Sequence, residues 1–351
     1  MQPAEFPGRL ELRLARRGGA VELLRVPAAL FGAAARLRRS AFDAGLLPAH
    51  RLAVPVVSVG NLSTGGTGKT PMCALIVREL AARGLAPGLL SRGHRAGADG
   101  RNDEARLLDE LCPGVPHVQS KDRVRGGEEL VARGSGSIVL DDGFQHRRLH
   151  RDLDLVLVDA TRPWGLPAPE AGGEPVCALL PRGLLREPPS SLARAHAIAI
   201  TRADQVDASR LEALEGEIER AAPGVPVLRA GHRAVRLRDE QGSERPLASL
   251  RGAEVDLVSG IGNPEAFERT ARALGARVRA HRAFEDHHAY AKGDLDGLGS
   301  GGVAVLTTAK DAVKLAPIGS PVRVLDVEIA LTSGAGVLGA LLDALSPGAH
   351  G

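Results

Sequence analysis

The stretch "VPVVSVGNLSTGGTGKTP", Val54 to Pro71, constrains the fold more than any other. An apolar, β-branched run enters a turn of small residues, and a helical pattern leaves it. The turn departs from the phosphate-loop pattern G-x-x-x-x-G-K-[ST] at one position, where Ser63 stands five residues before Gly68 in place of glycine. A serine makes that turn less strained without disabling it. Pro71 is compatible with a helix start, since a first-turn proline gives up an N–H that has no intrahelical partner. Ser63, Thr64, Gly65, Gly66, Thr67, Gly68, Lys69 and Thr70 are therefore candidate nucleotide-binding residues. The glycines let backbone N–H groups face phosphate oxygens at a helix N-terminus. Lys69 would neutralise β/γ-phosphate charge, and Thr70 would bind Mg²⁺. The competing reading, a purely structural glycine turn, lacks the strand–loop–helix context seen here.

Beyond the loop, short apolar runs alternate with helical stretches, as a parallel α/β sheet requires. The pattern predicts strands at Val54–Val59, Ala86–Leu90, Ser137–Leu140, Leu155–Val158 and Ala197–Ile200. It predicts helices at Thr70–Arg83, Asp103–Leu111 and Asp207–Ala222. Arg162–Pro189, rich in proline and glycine, is too long for a simple connection and reads as a functional loop. "HRAVRLRDEQGSERPLASL" reads as two polar strands around the turn Asp239–Ser243, a ribbon between domains. After it come strands at Val255–Val258 and Val303–Leu306, a helix from Pro264 and a last helix near Val337–Leu345, a second and smaller α/β unit.

With 351 residues the chain is long enough for two domains. Aromatics make up only 2% of it, and the net charge is +3 with arginine scattered throughout, which argues against a nucleic-acid partner. Cys73, Cys112 and Cys177 are widely spaced, without metal-ligand spacing, and fit a reducing compartment. No run approaches a membrane-spanning length, and the N-terminus lacks a signal-peptide pattern, so a cytoplasmic chain is expected. Lysine occurs only at Lys69, Lys121, Lys292, Lys310 and Lys314. Codon bias toward arginine accounts for most of that scarcity. A lysine retained under such bias marks a place where a compact ammonium is needed.

"SIVLDDGFQH" supplies a second half to the loop. An apolar strand ending in aspartate is where phosphate-loop proteins hold Mg²⁺, so Asp141 is a candidate metal ligand, with Asp142 beside it. Adjacent carboxylates repel unless a cation or donor lies between them. Asp159, "TRAD" (Thr201–Asp204) and "TTAKD" (Thr307–Asp311) also close apolar runs, where ligands bind in doubly wound sheets. "TRAD" and "TAKD" loosely match a GTPase base-reading motif, although a capped helix start explains either about as well. "FEDHHAY" sets two histidines beside two acids, which fits either an acid–base role or solvated surface groups. Arg25–Leu47 is amphipathic, with Leu30, Phe31, Leu37 and Phe42 beside Arg36, Arg38 and Arg39. It fits a helix covering the core, which the residues alone favour, or one lying on an anionic bilayer.

Taken together, these motifs resemble one family, the tetraacyldisaccharide 4′-kinases, which phosphorylate the lipid A precursor in Gram-negative bacteria. The similarity runs from about Pro27 to Leu315 and rests on the phosphate loop with its serine, "LSRG" (Leu90–Gly93), Asp103–Glu104, Asp122–Arg123, "LDDGFQH", "LREP" (Leu185–Pro188), "SGIGNPEAF", "DHH" and "TAKDAVKL". The chain departs from the family pattern at His94, Asn102, Ala105 and Ala309, and in "LPRGLLREP", which holds Arg182 and Arg186.

The resemblance implies a phosphate-loop kinase domain of parallel sheet (1–226), a two-stranded linker (227–250) and a smaller C-terminal α/β domain closing over ATP (251–351). It implies ATP with Mg²⁺ as cofactors, and an acylated glucosamine disaccharide 1-phosphate as the acceptor, phosphorylated on its 4′-hydroxyl. Asp103, assisted by His287, is implied as the base, alongside Lys69 and Asp142 as catalytic residues. Asn61, Arg92, Arg123, His146 and Arg186 are implied to contact the acceptor, and cationic groups there suit a sugar carrying a phosphate. The N-terminal helix is implied to touch the cytoplasmic face of the inner membrane peripherally, and no obligate protein partner is implied. The rival reading is a regulatory phosphate-loop ATPase or GTPase of the partitioning or metallochaperone type, which shares GG-x-GKT loops. A second rival is a nucleotide-gated membrane-binding module built on Arg25–Leu47.

Overall fold

The structure is a computed structural model that describes residues 9–93, 101–168, 175–286 and 288–346. Two compact units divide the chain: Glu11–Gly231 completed by the chain from Leu331, and a smaller unit holding His232–Ala330.

In the larger unit, a short helix α1 (Arg9–Ala15) and the long helix α2 (Arg25–Asp43) precede β1 (Val56–Asn61). Then follow α3 (Lys69–Ala82), β2 (Pro87–Ser91), α4 (Asp103–Leu111), β3 (His117–Gln119), α5 (Arg123–Ala132), β4 (Ser137–Asp141), β5 (Leu153–Asp159), β6 (Ala197–Thr201) and α6 (Ala208–Ala221). The strands lie in the order β3-β2-β4-β1-β5-β6 and run parallel. Every residue of β1, β2, β4, β5 and β6 is buried, which is why these strands read as continuous apolar runs rather than alternating ones. Val56, Leu90, Ile138 and Leu140 pack with Val124 and Leu130 of α5 in one core cluster; Val156, Ile198 and Ile200 pack with Leu214 and Ile218 of α6 in another.

β7 (Val227–Arg238) begins beside β6 in the larger unit, in parallel, and continues into the smaller one. There it forms the expected hairpin with β8 (Glu244–Arg245), with Leu237 opposite Arg245. The smaller unit continues with β9 (Glu254–Ser259), α7 (Pro264–Ala273), β10 (Arg277–Ala283), β11 (Ala304–Thr308), α8 (Ala309–Leu315) and β12 (Arg323–Ser333). Its strands β10-β9-β11-β12 are again parallel, around Leu257, Phe267, Leu306 and Leu325. Arg236 and Arg238 of β7 both bond the Asp326 carboxylate of β12, at 2.7 and 2.8 Å. The last helix, α9 (Ala335–Asp343), belongs to the larger unit, where Asp343 pairs with Arg83 at 2.7 Å. Mostly parallel strands with helical crossovers make this the α/β fold expected from the sequence.

α2 buries only Ala28 and Gly32, while Val26, Leu30 and Leu37 remain at least two-thirds exposed. Leu23 and Leu46, just outside it, are also exposed. The helix does not serve as a core cover. Arg38 and Arg39 turn toward the protein, bonding the Gln145 carbonyl at 3.3 Å and the Ser191 hydroxyl at 3.2 Å. No helix among the described residues is long and apolar enough to cross a membrane.

Candidate active site

β1 delivers Asn61 to the carboxyl end of the sheet, fully buried between β4 and β5. The loop that follows leaves Thr64, Gly65 and Gly66 exposed and turns inward at Thr67. It enters α3 through Gly68, whose φ of 90° lies in the left-handed region that favours glycine. Ser63 is buried and forms a β-bridge with Leu185. On either side of it the Thr64 N–H donates to the Leu184 carbonyl at 2.8 Å, and the Arg186 N–H donates to that of Leu62 at 2.7 Å. Ser63 therefore sits in extended, paired backbone, where the conformational freedom of glycine has no use. The Thr201 hydroxyl, from "TRAD", donates to the Thr67 carbonyl at 2.9 Å and braces the inward turn.

The loop lysine meets the second motif directly. Lys69 Nζ donates to Asn61 Oδ1 at 3.3 Å and lies 3.7 Å from Asp142 Oδ1. Arg186 grips both Asp142 oxygens, at 2.7 and 2.8 Å, and donates to the Asn61 carbonyl at 3.1 Å and to its side-chain oxygen. Asp142 adopts φ 53°, a left-handed turn that aspartate tolerates better than most side chains, and its N–H donates to the Val59 carbonyl at 2.9 Å. Gly60 makes the close approach possible, because a Cβ there would lie 2.6 Å from that of Phe144. Gln145 Nε2 closes the turn on the Asn61 carbonyl at 3.0 Å.

The two adjacent aspartates have opposite electrostatics. Burial raises Asp141 most, and the Glu104 charge adds to it against the pull of Lys69, bringing its carboxyl to about 7. Burial would raise Asp142 as well, but Lys69 and Arg186 outweigh it and hold that carboxyl well below the usual range. One motif thus presents a permanently charged carboxylate and one that is only partly ionised near neutral pH, which a bound cation would shift toward the charged form. Asp141 accepts from the Cys73 thiol of α3 at 3.7 Å.

Asp103 and Glu104 form the first turn of α4, after the cap Asn102, whose side chain accepts from the Ala105 N–H at 2.9 Å. Arg123 opens α5, almost fully buried, and donates to the Ser120 carbonyl at 2.7 Å. Burial and the nearby Arg92 weigh against its charge, whereas Asp141 and Asp142 favour it. Arg92 itself is exposed just beyond β2. Burial, then Arg123, Arg151, Arg38 and Arg148, hold His146 down to about 4, so it is neutral at pH 7. Among the described residues, Asn61 Nδ2, Thr67 Oγ1, Arg123 Nε, Gln145 Oε1, His146 Nε2 and Arg186 Nε are buried without a hydrogen-bond partner. Such groups are costly to leave unsatisfied, and these six belong to residues of the phosphate loop, the DDGFQH turn and the acceptor candidates, where a polar ligand could satisfy them.

Other sequence candidates have different places. Asp159 pairs with Arg202 and accepts from Thr161 at 2.9 and 2.7 Å, so it supports the strand end. In the smaller unit Asp311 of "TAKD" bonds the Gly260 N–H, at 3.0 Å, and the Thr308 hydroxyl, at 2.8 Å, and pairs with Lys314; Lys310 pairs with Asp286 at 2.9 Å. His288 bonds Asp294 at 2.8 Å and stacks on Phe284, while His287 and His94 lie outside the described residues. Arg182 is buried and bonds the Leu14 and Arg16 carbonyls and Glu22, fastening the N-terminal segment. Sequence reasoning missed the charge of Glu104 on Asp141; its position next to Asp103 was the available signal.

Comparison with known proteins identifies the family. The family model for tetraacyldisaccharide-1-P 4′-kinase (LpxK) matches residues 20–346. A tetraacyldisaccharide 4′-kinase of Anaeromyxobacter dehalogenans is 42% identical over 340 residues, covering 89% of this chain and 87% of the relative. One from Geobacter sulfurreducens is 38% identical over 325 residues, covering 86% and 85%. The crystal structure of the "apo" form of LpxK from Aquifex aeolicus in complex with ATP superposes with a TM-score of 0.72 at 29% identity, covering 93% of this chain and 99% of that one. On the strength of a match spanning nearly its whole length, the chain belongs to the tetraacyldisaccharide-1-P 4′-kinase family.

Proposed function

We propose that this protein transfers the γ-phosphoryl group of ATP to the 4′-hydroxyl of an acylated glucosamine disaccharide 1-phosphate, a lipid A precursor. The observation that carries the reading is Asn61, shared between the phosphate-loop lysine and Arg186 and bonded by Gln145, with buried polar atoms of Asn61, Gln145 and Arg186 left unpaired. It ties a nucleotide loop to an acceptor surface. Asp103 takes the 4′-hydroxyl proton as the new P–O bond forms and the bond to the β-phosphate oxygen breaks, with His287 assisting. Lys69 compensates the charge on the transferring group once nucleotide draws it from Asn61 and Asp142. Arg92, Arg123, His146 and Arg186 orient the acceptor. The family relationship supports ATP as the donor, and the reading divides the chain at the ribbon 227–250.

Thr70 and Asp141 fit a Mg²⁺ site. Mg²⁺ needs few protein ligands when phosphates supply the rest, and no cluster of three or more histidine, cysteine or acidic side chains is required or found among the described residues. The buried Asp141, raised to about 7, is a carboxylate that a cation would ionise. Bound there, Mg²⁺ would neutralise phosphate charge. The exposed apolar residues of α2 support a peripheral position on the cytoplasmic face of the inner membrane.

The test is purified protein with γ-labelled ATP and the tetraacyl disaccharide 1-phosphate. Label should appear in the lipid, and Lys69→Ala should lower that transfer by on the order of 10²–10³. Label recovered only as free phosphate would instead make the protein a regulatory ATPase.

A further inference from the structure

Beside the proposed site lies a buried chain of side chains that the chemistry above does not use. Ser91 ends β2 and His117 begins β3, both buried, with the Ser91 hydroxyl 2.9 Å from His117 Nε2. His117 Nδ1 lies 2.8 Å from Oδ1 of Asp109, a residue of α4. Burial lowers the imidazole below its ordinary value, against the pull of Asp109, so the ring is neutral at pH 7. A carboxylate only accepts, which places the proton on Nδ1 and leaves Nε2 to accept from Ser91. Arg101 pairs with the same Asp109. A second link runs parallel to the first: Gln119 of β3 donates to the side-chain oxygen of Asn102, the cap of α4, at 3.0 Å. Asn102 and Asp109 are seven positions apart, about two helical turns or ~10 Å along the axis. Two attachments at that spacing fix both the rotation and the axial position of α4.

The helix so fixed carries Asp103 and Glu104 in its first turn, and β2, joined to the brace through Ser91 and His117, leads straight into Arg92. We infer that Asp109, His117 and Ser91 form a positioning relay, which sets the helix bearing Asp103 against the strand bearing Arg92. The inference rests on the reading of Asp103 as the base. The Ser91 hydroxyl is buried and already donates to a neutral ring, so the trio is a brace and not a nucleophile.

The experiment compares His117→Phe and Ser91→Ala with the parent and with Asp103→Ala, measuring kcat for the lipid acceptor and the affinity for ATP. His117→Phe removes the bonds to Ser91 and Asp109 at similar shape, and kcat should fall by about tenfold or more. ATP affinity should hold, because the phosphate loop lies on β1 and α3. Ser91→Ala removes one hydrogen bond and should lower kcat in the same sense, less steeply, which covers the case in which His117→Phe does not fold. His117→Asn keeps an N–H donor for Asp109 and should recover part of the loss. In an Asp103→Ala background, His117→Phe should cost no further activity. Near-normal turnover in Asp103→Ala would overturn the base assignment itself. If Asp103→Ala is inactive while His117→Phe and Ser91→Ala keep the parent kcat, or if their losses appear equally in ATP affinity, the relay is a stability device and the inference is wrong.

Discussion

In the larger unit Ser91, His117 and Asp109 join β2, β3 and α4; in the smaller unit Ser259, His281 and Glu268 join β9, β10 and α7. The geometry is nearly the same, with the Ser259 hydroxyl 2.9 Å from His281 Nε2 and His281 Nδ1 3.0 Å from Glu268. Each histidine pairs with the residue two before the serine, Leu89 in one case and Leu257 in the other. Each helix is capped by an asparagine, Asn102 or Asn263. What differs is the turn after the cap. In α4 it is Asp103–Glu104, and the Glu104 charge acts on Asp141. In α7 it is Pro264–Glu265, and the Glu265 charge acts on the relay histidine itself. A strand–helix–strand turn can thus be braced by the same polar trio wherever it occurs. On the proposed reading of Asp103 as the base, only α4 of the two braced helices carries a reacting group at its N-terminus.

The strongest challenge to that contrast exchanges the first-turn acids. Asp103→Asn should lower kcat by about 10²–10⁴, the usual worth of a positioned general base, while Glu265→Gln should leave kcat near the parent value. Equal losses in the two would mean that the helix starts are not functionally distinct. Next in size are the caps. Asn102→Ala and Asn263→Ala each remove an acceptor from an orphan helix N–H and should each cost about 1 kcal/mol in urea unfolding. Only Asn102→Ala should also reduce kcat, by about tenfold, because it releases the turn that holds Asp103. Similar stability losses with dissimilar kcat would sharpen the comparison; matched kcat losses would break it.

The sequence made the phosphate loop and both aspartates legible because their chemistry is local: strand, turn and helix follow one another within one short stretch. The contact of Arg186 with Asp142 and Asn61 was not legible from spacing, since it depends on the Ser63–Leu185 bridge bringing a distant loop back. Family resemblance, not pattern, pointed to that arginine. The braces were hidden for another reason. β3 is only three residues long, and β10 reads "RVRAHRA", with three arginines along an edge strand, so neither gives an apolar run. A histidine in such a strand looks like a surface group until the strand is paired and the helix packed over it. The exposed face of α2 was ambiguous from periodicity alone, because a stripe of apolar residues marks what is buried without saying in what.

The smallest expected effect tests what the two braces share. Burial lowers both His117 and His281 below the ordinary 6.5, against Asp109 in one case and Glu268 in the other. An imidazole held neutral in the fold takes a proton more readily when the chain unfolds, so the unfolded state binds more protons as pH drops. Each histidine therefore contributes stability that is present above about 6.5 and is lost as pH falls through its lowered folded value. Urea unfolding between about pH 8 and about pH 5 should show stability declining on the acid side, with up to one proton's worth of slope from each ring. His117→Phe and His281→Phe should each remove their own share, and the double variant should remove both, since the two rings sit in separate braces. A slope unchanged in His281→Phe but flattened in His117→Phe would show that only the larger unit keeps its histidine neutral, and the likeness of the two braces would then be geometric alone.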